Sequence, residues 1–341
     1  MKSDKRPHAV TMTDVAVHAG VSRALVSIVF RGVPGASPAT RDRVMRAAAE
    51  LSYRPDQRAR LLGSNRSRTV GVAFGLHHEF HAELVEALYG AVEPTGYDLA
   101  LGAVAPIRDE TRAVQALLGY RCEALLLLGC TLRRSALEEL ATRVPVVVVA
   151  RAVRAPGVDV VRSDDVAGAR LAVEHLLSLG HERIAHVHGQ RAPGAAERRR
   201  GYRAALAVAG LADREQLVPG GLTDEDGARA AAALAGQLGS ARSDRLTAVT
   251  AFNDHCAAGL LAALRATGVT VPQQLSVVGY DDSHVAGLTG ISLTTIAQDA
   301  AALAQSALDL ALARVAAPTA PSTEEVVAPR LVVRATTSAT R

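Results

Sequence analysis

The chain has 341 residues, enough for two or three domains, with 49% hydrophobic and 21% charged residues and a formal net charge of +4. This balance fits a soluble globular protein with a sizeable core. The N-terminus lacks the apolar stretch of a signal peptide, no apolar run reaches membrane-spanning length, and the three cysteines have no C-x-x-C spacing. We therefore expect a cytoplasmic protein without a disulfide framework, a zinc site or a membrane segment.

The charge is divided unevenly along the chain. Residues 1–68 contain 13 Lys and Arg against 5 Asp and Glu, a net of +8, whereas the other 273 residues contain 25 and 29, a net of −4. A basic head on a mildly acidic body indicates that the head binds a polyanion. The alternative is a solvated basic tail, but the charges of the head lie on patterned helices.

Residues 11–31 predict two short helices joined by a tight turn. Thr11 is suited to cap the first helix, with Asp14 completing a near capping box, and Gly20 supplies the left-handed residue of the turn. Ser22 is suited to cap the second helix. This pattern predicts a helix-turn-helix whose second helix enters a DNA major groove, although an ordinary helical hairpin has the same pattern.

A third helix begins at Ser37-Pro38, a cap followed by proline at the first helical position, and ends before Pro55.

From Thr69 onward, short apolar strands alternate with amphipathic helices, which predicts parallel sheets covered on both faces. The first series places strands at 69–74, 98–103, 124–128, 144–149 and 158–161, with helices at 81–93, 109–118, 133–142 and 165–179. The second places strands at 184–188, 249–251 and 276–278, with helices at 195–208, 223–238 and 254–267; segments 293–296, 299–317 and 331–333 follow.

The order D-V-A-x-x-A-G-V-S, V-S, T-R-x-x-V, Y-x-P and A-R-x-L resembles the LacI/GalR family of bacterial transcription regulators, from about Thr11 to the end of the chain. The resemblance implies an α/β protein: an all-α helix-turn-helix head and a periplasmic-binding-protein-like body of two doubly wound parallel-sheet lobes. We expect residues 1–56 to bind DNA, 57–67 to form a hinge helix and linker, and 68–341 to bind the effector and dimerise. The first lobe should comprise about 68–179 and 300–327, and the second 180–299 and 328–341.

The resemblance and the exposed early positions of the second helix give the residues expected to contact DNA. In the head they are Thr11, Ser22, Arg23, Ala24, Ser27, Ile28 and Arg31. Arg23 is suited to read guanine or to hold a phosphate. Ile28 stands where the family usually has a base-reading arginine, so the usual base preference does not transfer to that position.

Residues 56–63 match the hinge helix of the family, which sits in the DNA minor groove. Arg58 and Arg60 are expected to hold phosphates, Ala59 matches the family pattern, and Leu62 matches the wedge that opens a base step and kinks the duplex. A plain basic linker is the alternative.

The resemblance also gives the expected effector site, at the carboxyl ends of the strands. Its residues are Phe80, His81, Arg198, Asn253, Asp281 and Gln298. Arg198 with Asp281 suits a polyhydroxylated ligand, since the guanidinium donates in a fixed fork and the carboxylate accepts from adjacent hydroxyls. His77 and His81, four residues apart, make half a metal site, but no partner cluster is evident and we expect neither a metal nor a cofactor.

Two other functions need comparison. An enzyme would use Asp281 and Asp282 as a carboxylate pair, but adjacent side chains at a strand end point apart, and no catalytic motif appears in the sequence. A sugar-binding transport protein of the same body fold is disfavoured by the head and by the missing signal peptide.

We therefore predict a cytoplasmic transcriptional regulator, associated with the nucleoid when bound, and a repressor rather than an enzyme. A homodimer would bind a pseudo-palindromic DNA operator, and a small molecule bound between the lobes, a sugar by resemblance, would control operator affinity. An activator or a purine-type regulator that depends on a co-repressor is the alternative.

Overall fold

A computed structural model describes residues 10–53, 66–238 and 245–340 of the chain. The chain divides into two compact units, Met1–Ser67 and Arg68–Arg341. The residues predicted to form the hinge contacts, Arg58, Ala59, Arg60 and Leu62, lie outside the described residues.

The head consists of three helices, α1 (Met12–Ala19), α2 (Arg23–Arg31) and α3 (Pro38–Glu50). The capping box at α1 is confirmed, because Asp14 Oδ2 accepts from the Thr11 N–H and hydroxyl, both at 2.7 Å, and the Asp14 N–H donates back to Thr11 Oγ1. Gly20 ends α1 at φ 61°. Fully buried valines from all three helices form the small core.

The first lobe of the body contains a six-stranded parallel sheet. Its strands are β1 (Thr69–Gly75), β2 (Asp98–Val104), β3 (Ala124–Leu128), β4 (Val146–Val149), β5 (Val158–Ser163) and β11 (Glu324–Val327), in the order β11-β5-β4-β3-β1-β2. Helices α4 (Glu79–Val92) and α12 (Ala300–Ala316) cover one face, and α5 (Glu110–Gly119) and α6 (Arg134–Ala141) the other. Because both faces are covered, all five residues of β3 are buried.

The second lobe repeats this architecture with one antiparallel edge strand. Its strands are β6 (Ile184–His188), β7 (Gln216–Pro219), β8 (Ala248–Ala251), β9 (Ser276–Asp281), β10 (Thr294–Ala297) and β12 (Arg330–Val332), in the order β12-β10-β9-β8-β6-β7. Only β12 runs antiparallel to its neighbour among these strands. The helices are α7 (Asp165–Ser178), α8 (Ala195–Val208), α9 (Asp224–Leu238), α10 (Asp254–Ala266) and α11 (His284–Gly287).

The chain crosses between the lobes three times: after β5, after β10 and between β11 and β12. The first crossing corrects the expected lobe limit at residue 179. Helix α7 follows a strand of the first sheet but packs against α8, β10 and β12 of the second. An apolar helix stripe does not specify which of two sheets it covers, and for this reason the sequence pattern misplaced α7. Strands β7 and β11 were also not predicted.

A buried ion pair fastens α12 to the first sheet. Arg314 holds Asp159 with two parallel hydrogen bonds, Nε to Oδ2 at 2.9 Å and Nη2 to Oδ1 at 2.6 Å. Its remaining donors bind the carbonyls of Ala320 and Pro321, and the Thr323 N–H donates to Asp159. Both ionised groups are therefore satisfied at the point where the chain leaves α12 for β11.

The predicted α/β class and two-lobed body are confirmed by this architecture. Among the described residues, no single helix is long and apolar enough to cross a membrane. Helices α1 and α2 have the necessary length and apolar composition only when they are taken together, and the chain bends by 105° between them.

Candidate functional site

Helix α2 presents its first turn on the surface of the head. Ser22 Oγ accepts from the Leu25 N–H at 3.2 Å and fixes the start of the helix, as predicted. Arg23 and Ala24 follow directly and are exposed, whereas Val26 and Val29 are buried against α1 and α3. The exposure predicted for Arg23 and Ala24 is confirmed, whereas Ser27 and Ile28, also predicted to be exposed, are half-buried.

Ile28 is half-buried and packs toward the loop between α2 and α3. A Cβ placed on Gly35 of that loop would lie 3.5 and 3.6 Å from two Ile28 methyl carbons. Arg41 of α3 fixes the same loop by donating to the carbonyls of Val29 and Val33, at 3.3 and 3.4 Å. Ile28 thus has packing contacts within the head, which was the alternative to a role in base contact. The expected contact of Ile28 with a base stays a prediction.

The second lobe holds a buried arginine at the carboxyl ends of its strands. Arg198 of α8 donates from Nε to Asp165 Oδ1 at 2.8 Å and from Nη1 to the Phe252 carbonyl at 2.6 Å. Its guanidinium carbon lies 3.5 Å from the ring centroid of Tyr280 and 4.6 Å from that of Phe252. Burial alone would lower the pKa of Arg198, but Asp165, Tyr280 and Asp281 raise it above its ordinary value. Arg198 is therefore a fixed cation.

Asp281 lies beside this cation at the end of β9. Its Oδ1 is 3.6 Å from Arg198 Nη2 and accepts a hydrogen bond from Gln298 Nε2 at 2.8 Å. Burial raises the pKa of Asp281 to about 6, and Arg198 and Gln298 oppose the shift only in part. The φ of 110° at Asp281 is unusual for a residue with a side chain. Three predicted residues, Arg198, Asp281 and Gln298, are thus brought together.

Asn253, expected to line the effector site, instead caps α10. Its Oδ1 accepts from the Cys256 N–H at 2.9 Å and its Nδ2 donates to the Leu222 carbonyl at 3.1 Å. The adjacent Asp254 is buried and accepts from the Thr295 hydroxyl and the Ser283 N–H. The correction is that the amide of Asn253 is used inside the protein.

The predicted first-lobe residues are packed more deeply than expected. Phe80 belongs to the hydrophobic core and is 7% exposed, so its ring is not presented for stacking on a ligand. His81 is 8% exposed, accepts from the Gly75 N–H through Nδ1 at 3.0 Å, and stacks on His78. Burial lowers the pKa of His81 to about 3, with His78 adding to the shift, so the imidazole is neutral. Within the described ranges, no group of three His, Cys, Asp or Glu residues could hold a metal ion.

Sequence reasoning missed three residues of the arginine cluster: Asp165, Phe252 and Tyr280. Tyr280 and Phe252 stood next to predicted residues, and their aromatic character was the available signal. Asp165 is 33 residues from Arg198, and only the passage of α7 to the second lobe brings its carboxylate there. The missed contact and the missed lobe limit therefore have one cause.

Comparisons with known proteins agree on one family. Residues 11–56 match the profile of bacterial regulatory proteins, lacI family, and residues 173–337 match the periplasmic binding protein-like domain. The chain is 36% identical over 307 residues to the transcriptional regulator GalS of Salmonella typhimurium, covering 89% of each chain. A crystal structure of the lac repressor dimer bound to operator and the anti-inducer ONPF is 29% identical, with TM-score 0.81 and coverage of 97% of this chain and 99% of that one. A CelR–cellobiose complex is 31% identical, with TM-score 0.68 and coverage of 97% and 100%.

Proposed function

Because the chain belongs to the lacI family of bacterial regulatory proteins, we propose that its Arg198–Asp281 cluster binds the small molecule that controls its affinity for operator DNA. The chain is a DNA-binding transcriptional regulator of this family and not an enzyme. In this proposal residues 1–56 bind DNA, 57–67 form the hinge, and 68–341 bind the ligand and dimerise. The regulator acts in the cytoplasm, on the nucleoid when it is bound to DNA.

The head supports binding to a pseudo-palindromic operator by a homodimer. Two copies of α2, related by a two-fold axis, would enter successive major grooves, and Arg23 and Ala24 at its first turn would meet the base edges. The lac repressor, similar over nearly the whole chain, binds its operator as a dimer. Thr11, Ser22, Ser27, Ile28 and Arg31 complete the proposed DNA-binding residues of the head, while Arg58, Ala59, Arg60 and Leu62 remain the proposed hinge contacts.

The observation that carries the ligand proposal is the incomplete pairing of Asp281. Arg198 Nη2 and Gln298 Nε2 both approach the same oxygen, Oδ1. We expect ligand hydroxyls to donate to the second oxygen, Oδ2, and the fixed guanidinium to donate to ligand oxygens. A sugar has both kinds of group, and the similar CelR was crystallised with cellobiose. His81 would add a neutral imidazole from the first lobe.

We propose that the protein is a repressor which the ligand releases from DNA. The test is retardation of operator duplexes, selected with the purified full chain, in the presence of cellobiose, D-galactose and D-ribose as probes. Release by one sugar, which is recovered chemically unchanged, supports the proposal. Tighter binding with the sugar would make it a co-repressor, and failure of the chain to select any duplex sequence would overturn the proposed function.

A further inference from the structure

Two polar contacts connect one helix turn of the first lobe to the second lobe. Glu79 Oε2 on α4 lies 2.9 Å from His255 Nε2 on α10. One turn later, Glu83 Oε1 accepts from the N–H of His284, the first residue of α11, at 3.2 Å. Glu79 and Glu83 are four residues apart and share a face of α4. Separation of the lobes would break both contacts together.

The surroundings of Glu83 are rich in acidic groups. The titratable and charged groups around the contact are Glu79, His77 and His78 of the first lobe and His255, Asp281, Asp282 and His284 of the second. Asp281 faces Arg198, and Asp282 is paired with Arg334 at 2.6 Å. Both cations are thus already engaged by carboxylates. Closing the lobes consequently brings ionised Glu83, which already has Glu79 on its own helix, near two further carboxylates, Asp281 and Asp282.

These neighbours give the protonation of Glu83 a definite direction. Burial raises the pKa of Glu83 to about 7, Asp281, Glu79 and Asp282 add to the shift, and the hydrogen bond from His284 opposes it. In separated lobes the carboxyl would return to water and to a value of about 4.3. The joined arrangement therefore binds a proton that the separated one releases, so its stabilisation is complete below about pH 4.3 and is lost as the pH rises through about 7.

The contact of His255 with Glu79 lies one helix turn from Glu83, with Nε2 of His255 2.9 Å from Oε2 of Glu79. Because the two glutamates lie on one turn of α4, the protonation of Glu83 bears on the motion that makes or breaks both contacts.

We propose that the contact of α4 with α10 and α11 makes closure of the two lobes proton-linked, so that acid favours the joined arrangement. If the proposed function holds, the ligand response of the regulator will also depend on pH, because the ligand acts through the same lobe closure. The proton linkage itself requires neither ligand nor DNA and is measured without them.

The experiment measures the distance between the lobes in the full chain. Spin labels at Tyr120→Cys in the first lobe and Val208→Cys in the second occupy exposed positions, and the three native cysteines are buried. Dilution with unlabelled protein isolates distances within one chain. Between about pH 8 and pH 5.5 we expect the ratio of joined to separated lobes to rise roughly three- to tenfold, because Glu83 is half-buried and water screens part of the repulsion.

Two variants and a matched control identify the groups. Glu83→Gln keeps the shape without the charge and should fix the ratio near its acid value, while His255→Gln, which removes the contact with Glu79, should lower the ratio at every pH. Glu86→Gln, on the exposed side of α4, should respond as the parent does. A parent ratio that is constant with pH, or a Glu83→Gln response equal to that of Glu86→Gln, would overturn the proposal. If Glu83→Gln does not fold by circular dichroism, the parent and Glu86→Gln decide: a ratio that rises with acid supports the proposal, and a ratio that is constant with pH overturns it.

Discussion

Two buried arginines, one in each lobe, differ in pairing geometry: one forms a complete structural ion pair and the other belongs to the proposed ligand site. Arg314 grips the single carboxylate of Asp159 with two parallel hydrogen bonds and gives its other donors to carbonyls. Arg198 makes one hydrogen bond to the carboxylate of Asp165, and its Nη2 lies 3.6 Å from Oδ1 of Asp281. Both arginines are 6% exposed, so burial does not distinguish them. Within the described ranges, both oxygens of Asp159 have hydrogen-bond partners, whereas Oδ2 of Asp281 has none.

The largest expected effect tests the structural pair. Arg314→Met leaves Asp159 buried without its cation, and we expect it to lower the free energy of unfolding by about 3–5 kcal/mol. Urea denaturation measures the loss, with the exposed Arg154→Met of the same lobe as the control. The folded variant should still respond to ligand as the parent does. A changed ligand response would break the distinction between the two arginines.

The second prediction concerns Arg198 and Asp281, the pair proposed to bind the ligand. Asp281→Asn keeps one acceptor oxygen but removes the charge, and we expect it to weaken ligand-dependent release from the operator by about 2–4 kcal/mol while DNA binding without ligand is retained. Operator retardation across a series of sugar concentrations measures this loss, and exposed Asp213→Asn serves as the control. A variant that titrates with sugar like the parent would show that Asp281 is outside the ligand site.

The third prediction concerns an arginine introduced on α2 of the head, where it would not be paired with a carboxylate. Ile28→Arg on α2 should shift the selected operator base toward guanine by about 1–3 kcal/mol, because a free guanidinium can bond both acceptors of that base. Selection from a random duplex pool compares the parent with the variant. Since Ile28 packs near Gly35, the thermal unfolding of both proteins is measured as well. An unaltered base preference would mean that this position does not face the bases.

The smallest effect is a pH dependence of stability. The pKa of Asp281 is raised to about 6 in the folded protein, against about 3.9 in an unfolded chain, so the folded state binds the extra proton. Stability contributed by this group should therefore increase as the pH falls from about 8 to 4, by about 1–2 kcal/mol. Asp281→Asn should remove that part of the slope. An identical slope in the variant and the parent would contradict the shift.

The features that sequence reasoning predicted well depend on neighbours within a few residues. Caps at Thr11 and Ser22 are fixed by backbone groups three residues away, and the five apolar residues of β3 require cover on both faces wherever they lie. Arg198 and Asp281 were found through family resemblance, not through any local rule. Gln298, the partner of Asp281, lies in a segment that matches the family and was therefore predicted. Asp165, the partner of Arg198, lies outside the matching segments and was missed.

The features that it missed depend on contacts distant in sequence. Asn253 and Asp254 are equally able to cap α10, and the choice is made by Leu222, Ser283 and Thr295, which receive or supply the other hydrogen bonds. Phe80 was expected to contact the ligand, but its ring packs in the hydrophobic core of the first lobe. Polar and aromatic residues at strand ends mark the region of a site, while the tertiary packing decides which of them face it.

The three crossings between the lobes have a consequence for synthesis on the ribosome. Helix α12 and strand β11 complete the first lobe at Val327, and β12 completes the second sheet at Val332, so neither lobe is complete until nearly the whole chain has left the ribosome. The head, built from residues 12–50, contains all its elements far earlier. A chain whose translation stops early would carry a DNA-binding head on an unfinished body. Exposed β edges and apolar helix faces would then mark that chain for proteolysis, which removes regulators that could occupy DNA without sensing the ligand.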